Sequence, residues 1–228
     1  MASREIQDKK VRWSDYGEEY AIDHVKSDLE NDWEFKKILK LSRLQPRMNV
    51  LEIGCNTGEF CNHLYVNYNV AVVGIDINKY AIEIAKQRYP ILNFERQDLF
   101  DIEGKYDRIY MLHVIEHLED PERALEKISD LLNNHGMLII SCPNKWAYIC
   151  KLAYIMRDMK FGYDPTHVNE FSPHLLSKQL RSTGYSIESL TTGPLGIPLL
   201  YSISKTVYYG IPSYLFGGHI ICTARKNL

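Results

Sequence analysis

The sequence predicts an α/β fold: a doubly wound, seven-stranded, mostly parallel sheet with a C-terminal antiparallel hairpin and helical cap elements. Three observations carry this. From Met48 onward, β-branched apolar runs alternate with segments of helical period, the pattern of strands buried on both faces by helices. Several helical segments open on a capping residue, Asp32, Asn78, Asp120 or Ser172. The last two strands follow one another with no good helix between them, which implies a hairpin rather than another crossover.

The elements follow in order. Asp32 caps a helix with Trp33, Ile38, Leu39 and Leu41 on its apolar side, and Pro46 marks a break. Met48 to Ile53 reads as the first strand, ending at Gly54, and Glu59 to Val66 as a short helix. Val70 to Ile75 is the second strand, followed by a helix carrying Ile82, Ile84 and Ala85. Ile91 to Glu95 and Tyr106 to Leu112 are the third and fourth strands. Asp120-Pro121 opens a helix with Ala124, Leu125, Ile128, Leu131 and Leu132 at helical spacing, stopped by Gly136. Gly136 to Ser141 is the fifth strand. Ser172-Pro173 starts a helix that Gly184 stops, and Tyr185 to Leu190 and His219 to Ala224 form the final pair. In domain terms this gives an N-terminal helical cap over residues 1–45 and a main domain over 46–228. The main domain carries a cap insertion near 145–170 and an apolar insertion near 194–216.

Composition narrows the function. The 228 residues carry 27 Lys plus Arg against 29 Asp plus Glu, a net charge of −2, so a nucleic-acid grip is disfavoured. Five cysteines, an odd number with no CxxC pair, fit reduced thiols used as small apolar fillers and a cytoplasmic setting. The charged stretch Met1 to Lys10 is no signal peptide, and no apolar run is long enough for a simple spanning helix.

Parallel sheets bind ligands beyond the carboxyl ends of their strands. Glu52, Gly54, Asn56 and Gly58 follow the first strand, in a turn feeding a helix N-terminus that favours anions. Asp76 and Ile77 follow the second strand, and an acid there can accept both hydroxyls of a ribose. Asp98 and Leu99 follow the third, and His113, Glu116 and His117 the fourth. The dinucleotide fingerprint G-x-G-x-x-G fails at Asn56 and Glu59, which disfavours a dehydrogenase. A P-loop Gly-Lys-Ser/Thr is absent after the turn.

These motifs resemble class I S-adenosylmethionine-dependent methyltransferases, with their Rossmann-like fold. Val50 to Gly58 is similar to that family's first motif, Gly74 to Ile77 to its second and Gln97 to Leu99 to its third. Tyr106 to Pro121 is similar to the fourth and Gly136 to Asn144 to the strand that follows. His167 to Ser172 resembles a segment before the last helix. The resemblance covers about Met48 to Tyr185 and is nearest the ubiquinone-pathway and small-molecule O-methyltransferase branch. Asn56 departs from the glycine of many members, but Asn tolerates a left-handed backbone. The resemblance implies S-adenosyl-L-methionine as cofactor and S-adenosyl-L-homocysteine as product. Gly54, Asn56 and Gly58 would pack on the methionine part, with Glu52 nearby and His113 beside its end. Asp76 would hold the ribose, Ile77 would lie against the adenine, and Asp98 and Leu99 would read the ring.

The expected function is methyl transfer to a small-molecule acceptor, at a hydroxyl oxygen, by in-line displacement. A hydroxyl must lose its proton, and His117 and His167 are the candidate bases. A rival reading comes from the small-RNA 3′-terminal 2′-O-methyltransferases, which the segment Val114 to His117 resembles. There Glu116, His117 and His167 would be metal ligands in a metal-dependent RNA 2′-O-methyltransferase, although His113 replaces that family's first acid. A third reading is a non-catalytic S-adenosylmethionine-binding partner protein. The primary expectation names no metal.

Acceptor recognition is expected outside the sheet. Trp13, Tyr16 and Tyr20 lie in the first region, and Trp146, Ile149, Leu152 and Met156, with Tyr148, Tyr154 and Ile155, in the second. Between Glu188 and Arg225 the sole charged residue is Lys205, and prolines 194, 198 and 212 argue against a spanning helix. That Tyr-rich segment suits a wall for a small or lipid-like acceptor, a homodimer contact or a membrane surface.

Overall fold

The computed structural model describes residues 32–147, 167–193 and 217–227, together with Gly17 and Leu29. The expected residues 13, 16, 20, 148–156 and 194–216 lie outside the described residues.

Helix α1 (Trp33–Ser42) precedes the sheet, and Asp32 caps it by accepting from the Glu34 and Phe35 amides. Strand β1 (Asn49–Ile53), α2 (Glu59–Tyr68), β2 (Ala71–Asp76), α3 (Lys79–Arg88) and β3 (Asn93–Arg96) follow. Then come β4 (Tyr106–Leu112), a 3-10 turn (Ile115–His117), α4 (Pro121–Leu131), β5 (Leu132–Pro143), α5 (Pro173–Ser182), β6 (Tyr185–Thr192) and β7 (His219–Lys226). The sheet has seven strands in the order β3-β2-β1-β4-β5-β7-β6. Strands β1 to β5 pair in parallel, while β7 runs antiparallel to both β5 and β6. This is the doubly wound sheet with a closing hairpin that the alternation and the final strand pair predict.

Period-two alternation sends successive side chains to opposite faces. Val50, Tyr110, Met137 and Ile139 join a core with Phe35 and Ile38 of α1, Phe60 and Leu64 of α2 and Ile82 of α3. Leu51, Ile109, Met111, Leu138 and Ile140 face the other way, onto Ala124, Leu125 and Ile128 of α4 and Leu176 and Leu180 of α5. The sheet is thus covered on both sides, and the site is left at the carboxyl ends of the strands.

Two differences from the sequence reading have a clear physical cause. Helix α4 ends at Leu131, and Leu132 already belongs to β5, paired with Tyr106. Gly136 is not a helix stop. It sits inside β5 where the β4–β5 register shifts, and a Cβ there would lie 2.9 Å from the Tyr106 carbonyl. Ile91 falls outside β3 because the chain turns first, Leu92 N–H donating to Tyr89 O, and leaves Ile91 73% exposed.

Among the described residues no helix is long and apolar enough to cross a membrane. Cys55, Cys61, Cys142 and Cys222 are buried free thiols packed in the core, as expected of fillers.

Candidate active site

The carboxyl ends of β1 to β4 open into a cavity of about 510 Å³. Its lining contains Glu52, Gly54, Asn56, Asp76, Ile77, Asp98, Leu99, His113, His117 and His167, all singled out from sequence. Gly58 is the exception. Its backbone has φ +86°, and a Cβ there would stand 2.5 Å from the Phe94 ring, so this glycine serves the packing of α2 on β3 rather than the cavity wall.

At the Asp76 end, the turn after β1 is fastened to β2. The Gly54 and Cys55 amides both donate to Ile75 O. Gly54 has φ +75°, and a Cβ would meet Val114 Cγ2 at 2.4 Å. Asn56 is left-handed at φ 45°, the conformation that its side chain tolerates best after glycine. Asp76 knits these pieces together, Oδ2 accepting from Asn56 N–H at 3.0 Å and Oδ1 from Asn78 N–H at 2.8 Å. Burial raises its pKa against backbone hydrogen bonds from Asn78, Asn56 and Ile77. Asn78, not Asp76, caps α3. Asp98 is exposed, and its Oδ1 accepts from Phe100 N–H.

Glu52 lies deeper, 5% exposed, and accepts the Cys61 thiol at 2.8 Å. Burial drives its pKa up to about 8, helped by Glu59 and Asp76 and opposed by the Cys61 bond. Below that value the cavity floor carries a neutral carboxyl.

The other end is a string of histidines and glutamates. His113 follows β4 with a left-handed backbone, φ 56°. Its Nε2 lies 2.8 Å from Glu34 Oε1 and its Nδ1 3.5 Å from Glu116 Oε1. Burial disfavours charge on this ring, but Glu34 and Glu116 outweigh it and push the pKa up to about 10. Glu34 in turn stays well below the usual carboxylate range, its own burial overcome by His113 and His219. Its Oε2 lies 3.1 Å from His219 Nδ1. Sequence reasoning missed Glu34 and His219. No local motif marks either one, and their contacts span 79 and 185 residues.

Glu116 is 2% exposed, and neither carboxylate oxygen has a hydrogen-bond partner. Its backbone carbonyl accepts from both Val168 N–H and Asn169 N–H at 2.9 Å, and Asn169 Nδ2 donates to Leu118 O. These bonds clip the 167–169 segment onto the 3-10 turn and bring the His117 and His167 rings to a centroid separation of 4.8 Å. Among the described residues, two sets can offer ligand atoms to a cation: Glu34, His113 and His219, and Glu116, His117 and His167, each set within 4.8 Å.

A Rossmann-like sheet of order 3-2-1-4-5-7-6, with glycine turn, acids and histidines at successive strand ends, defines a methyltransferase-type domain. Residues 25–190 match the family described as a methyltransferase domain, and the chain belongs to that family. It is 26% identical over 114 residues to an O-methyltransferase of Pyrenophora dematioidea, covering 46% of this chain and 43% of that protein. It is 25% identical over 171 residues to the mitochondrial ubiquinone biosynthesis O-methyltransferase of Saccharomyces cerevisiae, covering 71% of this chain and 53% of that protein. The chain thus spans about half the length of these relatives. Among solved structures, an S-adenosylmethionine-dependent methyltransferase from Mesorhizobium loti superposes with a TM-score of 0.66 at 14% identity, covering 87% of this chain and all (100%) of that one. At that identity the likeness carries the fold alone.

Proposed function

We propose that the protein transfers a methyl group from S-adenosylmethionine to a small-molecule acceptor, with a hydroxyl oxygen as the receiving atom. The observation that supports this best is the convergence of Asp76, Asp98, the Gly54–Asn56 turn and the histidine string on one cavity. The family membership and the O-methyltransferase names of its relatives agree with it.

The residues present suit that cofactor. Asp76 is fixed by backbone amides and lines the cavity, where its carboxylate can accept from a diol. The absent side chain at Gly54 makes room for Val114, another residue of the cavity wall. Ile77 and Leu99 offer apolar flanks for a base, and the buried Glu52 a carboxyl near an amino group. When bound, S-adenosylmethionine supplies an electrophilic methyl carbon on a sulfonium whose sulfur leaves as a neutral thioether.

The chain's contribution is alignment and proton removal. His117 or His167 takes the acceptor's proton as the oxygen forms its bond to the methyl carbon. The clip between the 3-10 turn and residues 167–169 holds both rings at one end of the cavity.

A second reading is favoured by one observation, the buried Glu116 carboxylate, which faces His113 at 3.5 Å and lies with His117 and His167 in a set of possible ligand atoms within 4.8 Å. A divalent cation held there would lower the acceptor's pKa in place of a free imidazole base. The net charge of −2 gives no support to RNA as the acceptor.

The test is calorimetric titration with S-adenosylmethionine and S-adenosylhomocysteine, on metal-free protein and again with manganese. It is followed by a screen of hydroxylated small and lipid-like acceptors for S-adenosylhomocysteine release. Saturable binding without metal and turnover on a hydroxyl compound are expected. A separate manganese heat that is lost in Glu116→Gln would move the second reading forward. Binding with no turnover on any acceptor would favour a non-catalytic partner protein, and no binding of either nucleotide would overturn the proposal.

A further inference from the structure

We propose that Glu34 is a positioning residue of this cavity: its carboxylate bridges His113 and His219 and so makes the first turn of α1 a fixed wall of the cofactor site. The proposal rests on reading the cavity as that site.

Glu34 is 6% exposed, and a carboxylate so buried must be well partnered. Its two oxygens reach different parts of the fold. Oε1 meets His113 Nε2 at 2.8 Å, just beyond β4, and Oε2 meets His219 Nδ1 at 3.1 Å, where β7 begins. Both histidines line the cavity. The His113 and His219 rings meet edge to face, with centroids 5.0 Å apart. The backbone of Glu34 is fixed as well, because its N–H donates to Asp32 at 2.7 Å. The negative charge also sits in the first turn of α1, where the helix dipole favours it.

The next residue carries the wall. Phe35 lines the cavity and packs on Phe60, another lining residue, with ring centroids 5.2 Å apart. The far end of the same helix is held by a different charge. Buried Arg108 donates to Ser42 O at 2.6 Å and to Arg43 O at 3.1 Å. Arg108 stands five residues before His113 on the β4 strand path, about 16 Å away. Helix α1 is therefore pinned at both ends, and its Glu34 end alone touches cavity residues among these two anchors.

His113 gives the pin its purpose. Its left-handed backbone is uncommon for a residue with a side chain, so the surroundings must hold it. Glu34 does so from one side and Glu116 from the other. The set Glu34, His113 and His219 also has the composition of a cation site. Here, though, both Glu34 oxygens meet imidazole nitrogens at hydrogen-bond distance, and opposite charges already balance.

The experiment compares the full chain with Glu34→Gln and Arg108→Gln. S-adenosylhomocysteine affinity is read by calorimetry, and protection of residues 33–42 by hydrogen exchange with and without that ligand. Glu34→Gln keeps the side chain's volume and removes its charge, so a space-filling role would leave affinity unchanged. The expected result is about tenfold weaker binding in Glu34→Gln, with loss of ligand-dependent protection of α1. Arg108→Gln lowers thermal stability but keeps affinity within about twofold, since its contacts lie outside the cavity. Should Glu34→Gln fail to fold, His219→Asn cuts one of the two contacts and is expected to bind about threefold more weakly. Unchanged affinity in Glu34→Gln or His219→Asn would overturn the proposal. So would an equal loss in Arg108→Gln, or stoichiometric zinc held by the wild type and lost in Glu34→Gln. A wild type that binds neither nucleotide sinks the functional reading as well. Normal wild-type binding with an unaffected Glu34→Gln sinks the positioning role alone.

Discussion

The two ends of the cavity are built in opposite ways. At the end that holds Asp76, its carboxylate is set by backbone amides from the adjacent turn and the next helix. At the other end, Glu34 and Glu116 are set against His113 and His117, which follow β4, and His219, which opens β7. Local chain geometry fixes the first end; tertiary contacts assemble the second. The first should therefore govern cofactor affinity; in the second, Glu34 steadies the cavity wall while His117 and His167 serve the chemical step.

The largest effect expected on that contrast is at the histidine end. His117→Ala should lower turnover by about 10² or more while S-adenosylhomocysteine still binds, as befits loss of a general base. Equal losses in rate and affinity would erase the division between the ends. Next comes Asp76→Ala, expected to weaken both nucleotides by about 1–3 kcal/mol in calorimetry, the scale of losing hydrogen bonds to a charged acceptor. An unaltered affinity would remove the ribose assignment.

A pH series sharpens the comparison further. Glu52 has its pKa raised to about 8, so it is neutral at pH 6 and ionised above 8. A ligand bearing an ammonium group should bind more tightly as pH rises toward 8, then level off, and Glu52→Gln should flatten the profile. The folded pKa lies above the unfolded value near 4.5. The stabilisation from this group is thus complete below about 4.5 and is lost as pH climbs through 8. Thermal unfolding of the free protein should follow that decline. The smallest effect lies away from both ends. Asp120→Ala removes the bond from Arg123 N–H that caps α4, and should cost about 1 kcal/mol in denaturant unfolding, with nucleotide affinity intact.

The same local-versus-assembled distinction explains what the sequence revealed. Asp32, Asn78, Asp120 and Ser172 cap the helices that they announce, because a cap is decided within three residues. Asp76, Asp98 and His113 reach the cavity because strand ends share one edge of a parallel sheet. Gly58 and Gly136 have roles set by neighbours distant in sequence, Phe94 and Tyr106, which no local pattern displays. Glu34 and His219 stayed hidden likewise. A glutamate in a first helical turn and a histidine opening a strand look ordinary until the sheet brings them together.

The position of β7 bears on how such a chain is made. It lies between β5 and β6, so a nascent polypeptide still lacking residues 219–226 presents two unpaired sheet edges, a hazard for association with other chains. Because His219 opens that strand and meets Glu34, the same late insertion that seals the sheet also completes the histidine end of the cavity. On the ribosome, then, structural completion and ligand competence would arrive together. A truncated or stalled product would be recognisable by its open edges before it could ever sequester cofactor.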